Sequence, residues 1–255
     1  MTTHSHHDNI NKQFDSQASA YLTSQVHASG RDLEHLKDRL TPFTEATVLD
    51  VGCGAGHASF VAASRVKEVI AYDLSEKMLE TVNQAARERG FGNLQTRQGF
   101  AESLPFEDER FDIVISRYSA HHWQDVGLAL REIKRVLRPG GKAIMMDVMS
   151  PGNAVLDIWL QTIEALRDTS HVRNYSSGEW AAMFSEAGLL TASVVTDRLE
   201  LDYTSWIARM RTPEALAKAI RQYQVSASQS VQQYYELREE GSFTTDTIMI
   251  EVYKP

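Results

Sequence analysis

Residues 48–57 read Val-Leu-Asp-Val-Gly-Cys-Gly-Ala-Gly-His, and this stretch narrows the possible folds further than any other part of the chain. Val48, Leu49 and Val51 favour a strand around Asp50. Gly52, Gly54 and Gly56 then make a loop, and Ala58, Phe60, Val61 and Ala62 continue with helical spacing. The order is strand, tight loop, helix. Glycine belongs in such a loop because a nucleotide-sized ligand lies against bare backbone, and because the turn uses backbone angles closed to residues with a Cβ. The loop reads as a cofactor cradle.

A second apolar run, Val69-Ile70-Ala71-Tyr72, ends at Asp73. An acid about 20 residues beyond the first glycine, at the end of a second parallel strand, accepts both ribose hydroxyls of an adenosine held by the first loop. A dinucleotide fold would place its third glycine at position 57, where this chain has His57. Asp50 would repel a diphosphate but can hydrogen-bond an ammonium, directly or through water. The loop therefore suits a cationic ligand better than a pyrophosphate.

Four motifs follow one another at matching spacing: Asp50-Val51-Gly52-Cys53-Gly54-Ala55-Gly56; Asp73 after its strand; Gly99-Phe100-Ala101-Glu102 before Phe111-Asp112-Ile113-Val114; and Leu137-Arg138-Pro139-Gly140-Gly141. The series resembles that of the class I S-adenosylmethionine-dependent methyltransferases. It is most similar to the small-molecule branch that includes the ubiquinone and menaquinone C-methyltransferases, well over residues 10–150 and loosely beyond. The resemblance implies an α/β, Rossmann-like seven-stranded sheet of order 3-2-1-4-5-7-6 with strand 7 antiparallel and helical lid insertions. It implies S-adenosylmethionine as cofactor, with Leu74 beside the ribose and adenine and Ala101 and Glu102 meeting the adenine. It also implies an N-terminal cap, with Tyr21 closing over the methionine end and Arg31 on the cofactor carboxylate.

Arg117 follows the fourth strand closely enough to touch the cofactor. In this strand order the crevice between strands 1 and 4 is the switch point where ligands bind. His121 and His122, just beyond, are placed to face the acceptor, and histidine is the side chain best able to exchange a proton near neutral pH. The family's own His-His pattern at this position adds to their candidacy as a base. Asp147, near the end of strand five, is either an acceptor contact or an ordinary strand-end hydrogen-bond partner.

The 255 residues, 42% hydrophobic and 24% charged, suit one domain, 1–255, with cap or lid segments at 10–40, 151–178 and 201–241. A net charge of −8 without a basic run argues against a nucleic-acid partner. Cys53 is the only cysteine, so no intrachain disulfide forms, which fits a reducing compartment. Residues 1–8 lack the apolar core of a signal peptide, and no apolar run reaches the roughly 18 residues of a membrane span, so a cytoplasmic protein is expected. His4, His6 and His7 read as solvated, and no metal site is assigned. The sequence assigns no oligomeric state.

Local signals place the remaining elements. Leu33, Leu36 and Leu40 mark a helix ended by Thr41-Pro42, and Ser75 caps a helix that stops at Gly90. Strands are expected over 94–98, 111–116, 143–148, around 194–195 and over 247–253, with a turn over 138–141. Trp159, Tyr203, Trp206 and Met210 either line an apolar pocket for a quinone-like or aromatic acceptor or pack a core. Arg173 or Arg209 either holds an acceptor carboxylate or a surface acid. The expected function is methyl transfer to a small-molecule acceptor. A cofactor-binding protein without catalysis and, disfavoured by His57 and Asp50, a nicotinamide oxidoreductase are the alternatives.

Overall fold

The computed structural model describes His6 and residues 30–255. Phe14 and Tyr21, named above for the cap, lie outside the described residues. Seven strands form one sheet: β1 (Thr47–Val51), β2 (Glu68–Asp73), β3 (Leu94–Gln98), β4 (Phe111–Arg117), β5 (Leu137–Met149), β6 (Leu190–Leu201) and β7 (Phe243–Tyr253). Their order is 3-2-1-4-5-7-6. The first five pair in parallel, and β7 runs antiparallel to β5 and β6. This is the expected topology.

Among the described residues the helices are α1 (Arg31–Leu40), α2 (His57–Ala63), α3 (Glu76–Glu88), α4 (Val126–Val136), α5 (Ala154–Arg167), α6 (Ser177–Ala187), α7 (Tyr203–Arg209), α8 (Glu214–Val225) and α9 (Gln229–Tyr234). Because neighbouring strand residues point to opposite faces, the central parallel strands β1, β2 and β4 are apolar on both. Leu49, Val51 and Val114 pack with Leu130 and Ile133 of α4 and Trp180 and Phe184 of α6. Val48, Ile113 and Ile115 pack with Leu33, Leu36 and Leu40 of α1, Phe60 of α2 and Val82 of α3. Both layers hold the β1–β4 crevice open at one end of the sheet.

The turn expected over 138–141 is absorbed into β5. Pairing begins at Leu137 opposite Phe111, and an irregularity between Phe111 and Ile113 takes up the extra residues. The cause lies at the other end of the chain: Gly140 N donates to Lys254 O at 2.9 Å and Lys254 N to Gly141 O at 2.9 Å, so the end of β7 draws the glycines into the sheet. Strands β6 and β7 likewise run longer than the apolar residues alone suggested, because each supplies the other's ladder partners from Leu190↔Tyr253 to Leu201↔Phe243.

The segments after β5 and β6 meet in a third apolar cluster. Trp159, Leu160 and Ile163 of α5 pack with Trp206, Ile220, Tyr235 and Phe243. Trp206 is fully buried, Met210 is buried, and the Tyr203 hydroxyl donates to Ala217 O at 2.9 Å. Trp159 and Trp206 belong to this cluster and Tyr203 packs against it, so for these three aromatic side chains the structure favours the core alternative. Among the described residues no helix is long and apolar enough to cross a membrane, and no cluster of histidine, cysteine or acidic side chains is arranged to hold a metal.

Candidate active site

The glycine loop follows β1 as its sequence implies. Gly52 N and Cys53 N both donate to Tyr72 O, at 2.8 and 3.0 Å, which locks the loop to the end of β2. Gly52 sits at φ +72°, and a Cβ there would lie 1.8 Å from Ser119 Oγ; only glycine lets the loop after β4 approach this closely. Gly54, at φ +51°, has open space where its Cβ would be. That space belongs to a cavity lined from the ends of β1, β2 and β4.

Asp73 closes the loop from the β2 side. Its Oδ2 accepts from Gly54 N at 2.8 Å and its Oδ1 from Ser75 N at 2.9 Å, while Ser75 Oγ caps α3 through Met78 N. Asp50 lies beneath the loop, almost fully buried. Its Oδ2 accepts from Ser59 Oγ at 2.5 Å, whereas Oδ1 has no hydrogen-bond partner among the described residues. Burial pushes the Asp50 carboxyl up to about 7, with the charge of Asp73 acting in the same direction against the Ser59 hydrogen bond. An orphaned, buried carboxylate oxygen in a cavity wall asks for a cationic donor.

Across the crevice, β4 ends at Arg117 and the chain turns through a 3₁₀ segment, Ala120–His122. Arg117 is buried and forked onto Asp32 of α1, its Nη2 donating to Oδ1 at 3.1 Å and its Nε to Oδ2. Tyr118 takes φ +49°, an uncommon backbone state for a bulky residue, held by its N–H on Met146 O at 2.8 Å. Its ring lines both the main cavity and a second cleft between α1 and the ends of β5, β6 and β7.

The two histidines divide. His122 lines the cavity; His121 turns away to Asp147, with Nδ1 2.6 Å from Oδ1. Burial disfavours the charged form of His121, but the carboxylate of Asp147 outweighs it and the net direction is up. His122 is pushed down to about 4 by burial and by the neighbouring His121, whose ring centroid is 4.1 Å away. The surroundings thus favour the charged form of one imidazole and the neutral form of the other.

Of the residues named from sequence, Asp50, Gly52, Gly54, Asp73, Leu74, Ala101, Glu102, Arg117 and His122 line one cavity. Glu102 also works structurally, its Oε1 accepting from Gln124 N at 2.9 Å and Asp125 N at 3.2 Å ahead of α4. Arg31 is not brought there. It is exposed, lies 3.3 Å from Asp197 and lines the second cleft, because the buried Arg117–Asp32 pair fixes how α1 meets β4. Arg173 bridges Asp157 and Glu179 within the lid, a structural acid pair rather than an acceptor site. Tyr72, Tyr118, Ser119, Trp123 and Gln124 complete the cavity and were not singled out from sequence. Their only sequence signal is proximity to the ends of β2 and β4.

Comparison with known proteins agrees with this geometry. A family described as "Methyltransferase domain" matches residues 49–145. The uncharacterized methyltransferase YcgJ of Bacillus subtilis (strain 168) is 40% identical over 81% of this chain and 82% of its own length. Its crystal structure superposes with a TM-score of 0.84, covering 88% of this chain and 98% of that one, at 37% identity. The Escherichia coli (strain K12) protein YafE, itself uncharacterized, is 61% identical over 80% of this chain and 98% of its own. A demethylmenaquinone methyltransferase of Chlorobaculum tepidum is 36% identical over 44% of this chain and 45% of its own. With the glycine loop, the acid after β2 and the sheet order all in place, the chain belongs to the class I S-adenosylmethionine-dependent methyltransferases.

Proposed function

We propose that the β1–β4 cavity binds S-adenosylmethionine and that a small-molecule acceptor is methylated beside the loop after β4, with His122 taking the acceptor's proton. The observation that carries this reading is the Asp50 carboxylate oxygen, buried without a partner in a cavity that also holds Asp73 and His122. Asp50 is the counter-charge for the ammonium, and the open face of Gly54 gives room for the ligand. Asp73 accepts the ribose hydroxyls, Leu74, Ala101 and Glu102 border the adenine, and Arg117 backs the reacting end. Bound there, the cofactor supplies a methyl group on a sulfonium, open to in-line displacement. The protein's own task is alignment and exclusion of water. Tyr118 and the lid over the 119–123 loop serve that task.

The acceptor is not inherited from the quinone enzymes, since the match to the Chlorobaculum protein spans under half of either chain. Nor do the lid aromatics provide a quinone pocket, being packed into their own core. Transfer of labelled methyl from S-adenosylmethionine into the polar and lipid fractions of a cell extract tests the reading. Label above the level of an Asp73→Ala control supports it, and the fraction carrying the label gives the acceptor's polarity. Tight S-adenosylhomocysteine binding with no label in either fraction moves the protein to the non-catalytic alternative.

Asp73→Ala is expected to weaken S-adenosylhomocysteine binding by about 10-fold or more in a calorimetric titration, since a hydrogen bond to a charged group is worth about 1.5–3 kcal/mol. The loss of the Gly54 and Ser75 contacts adds to it. Unchanged affinity sinks the ribose assignment.

A further inference from the structure

His122 reaches behind the cavity wall into a buried polar cluster on the segment between α5 and α6. Its Nδ1 lies 3.1 Å from Ser170 O, a carbonyl that only accepts. The partner therefore places the hydrogen on Nδ1 and leaves Nε2 as the basic nitrogen. Nε2 is 3.9 Å from Asp168 Oδ2. Asp168 is 2% exposed, and its Oδ1 accepts from Ser170 N at 2.8 Å and Ser170 Oγ at 2.6 Å. Oδ2 is enclosed and takes no hydrogen bond among the described residues. The same segment is tied down over the histidines, with Val172 N donating to His121 O at 2.8 Å.

The neighbouring acids have partners of their own: Asp147 lies 2.6 Å from His121 Nδ1, and Glu164 faces Arg167 at 3.4 Å. His171 is kept neutral by burial and by its cationic neighbours, and its Nε2 meets Gln161 Oε1 at 3.0 Å. Burial works against the Asp168 charge, but the Ser170 hydrogen bonds and the charge of Arg167 favour it, and the net direction is down. Asp168 is left facing the His122 imidazole, and a proton taken up on Nε2 would meet the orphaned oxygen.

We propose that Asp168 is a positioning residue for His122, orienting the imidazole and sharing the proton it takes up, and that the acceptor is accordingly a molecule that loses a proton on methylation, a hydroxyl or an acidic C–H. The inference rests on the reading of His122 given above. In the step, the acceptor oxygen or carbon bonds the methyl carbon, and the methyl–sulfur electron pair stays on sulfur. The acceptor's proton moves to Nε2, and the electron pair that held it stays on the acceptor. Thioethers and tertiary amines, which have no proton to lose, fall outside this class.

The test is Asp168→Asn in the full chain, because an amide oxygen can still accept from Ser170 while the charge is gone. Imidazole nitrogen shifts of His122, assigned with His122→Gln, are followed against pH beside methyl transfer and S-adenosylhomocysteine affinity. The expected result is a lower titration midpoint for His122 and transfer reduced about 10-fold or more, with affinity held within about twofold. Asp147→Asn is expected to move the midpoint the opposite way, since His121 then loses its charge. His122 shifts that ignore Asp168→Asn overturn the inference even if transfer falls. Loss of transfer in His122→Gln with none in Asp168→Asn removes Asp168 alone, whereas full transfer in His122→Gln removes the reading of His122 itself. Methylation of a thioether at a rate untouched by His122→Gln overturns the acceptor class.

Discussion

His122→Gln is expected to lower methyl transfer by about 10²–10⁴-fold, the usual contribution of a positioned general base, while S-adenosylhomocysteine affinity changes only a few-fold. Glutamine keeps a donor for Ser170 O and a similar reach but has no nitrogen that takes a proton. The cavity wall therefore survives and the chemistry does not. The effect falls on the acceptor's half of the reaction because His122 stands with the loop after β4, across the crevice from Asp73. With His122 held down to about 4, the imidazole is neutral throughout the physiological range, so activity is not expected to drop near pH 6.5 as it would for an unperturbed histidine. Equal turnover by wild type and variant in a single-turnover assay would remove His122 from the mechanism.

The second large effect concerns a buried charge held at a cost. The Asp50 carboxyl is pushed up to about 7 in the folded protein from an ordinary 3.8, chiefly because burial penalises the carboxylate. A raised folded value means that its contribution is fully favourable below the unfolded value. That contribution is lost as pH rises from about 4 through about 7, and above that the full cost stands. Three pH units correspond to at most about 4 kcal/mol. Asp50→Asn keeps an acceptor for Ser59 and removes the charge. The ligand-free variant is therefore expected to melt several degrees above wild type at pH 8 and close to it at pH 4. Its gain in melting temperature on adding S-adenosylmethionine is expected to shrink, because the counter-charge for the ligand is gone. A melting difference independent of pH would exclude the buried charge as its source. The combination, stability gained and binding lost, is the usual signature of a residue kept for function.

Features carried by short-range chemistry were legible in the sequence. The Gly52–Gly54–Gly56 loop, the Ser75 cap and the helix of Leu33, Leu36 and Leu40 each depend on residues within one or two turns of one another. Asp73 was legible for a related reason: once β1 and β2 pair in parallel, the residue at the end of β2 has to lie beside the loop after β1. The sheet order came with the family resemblance, and the motifs that carry it are themselves local.

Features that depend on which distant side chain arrives first were not legible. Arg31 and Arg117 are both cations near the cofactor's expected end, and nothing local ranks them. The structure does, by burying Asp32 against Arg117 and leaving Arg31 to Asp197 across the second cleft. His121 and His122 are adjacent and chemically identical in the sequence. Asp147, 26 residues on, pairs with one and favours its charged form, and Ser170, nearly 50 residues on, holds the other as a ring in the cavity wall. The lid aromatics had the spacing of either a pocket or a core, and only the meeting of α5, α7, α8 and β7 decided for a core. Thus the sequence by itself determined the glycine loop, the place of Asp73 beside it and the strand pattern, because backbone geometry and glycine's freedom act locally. The tertiary structure alone decided which charges are paired and which histidine faces the cavity, because burial and long-range ion pairs exist only after the chain has closed on itself.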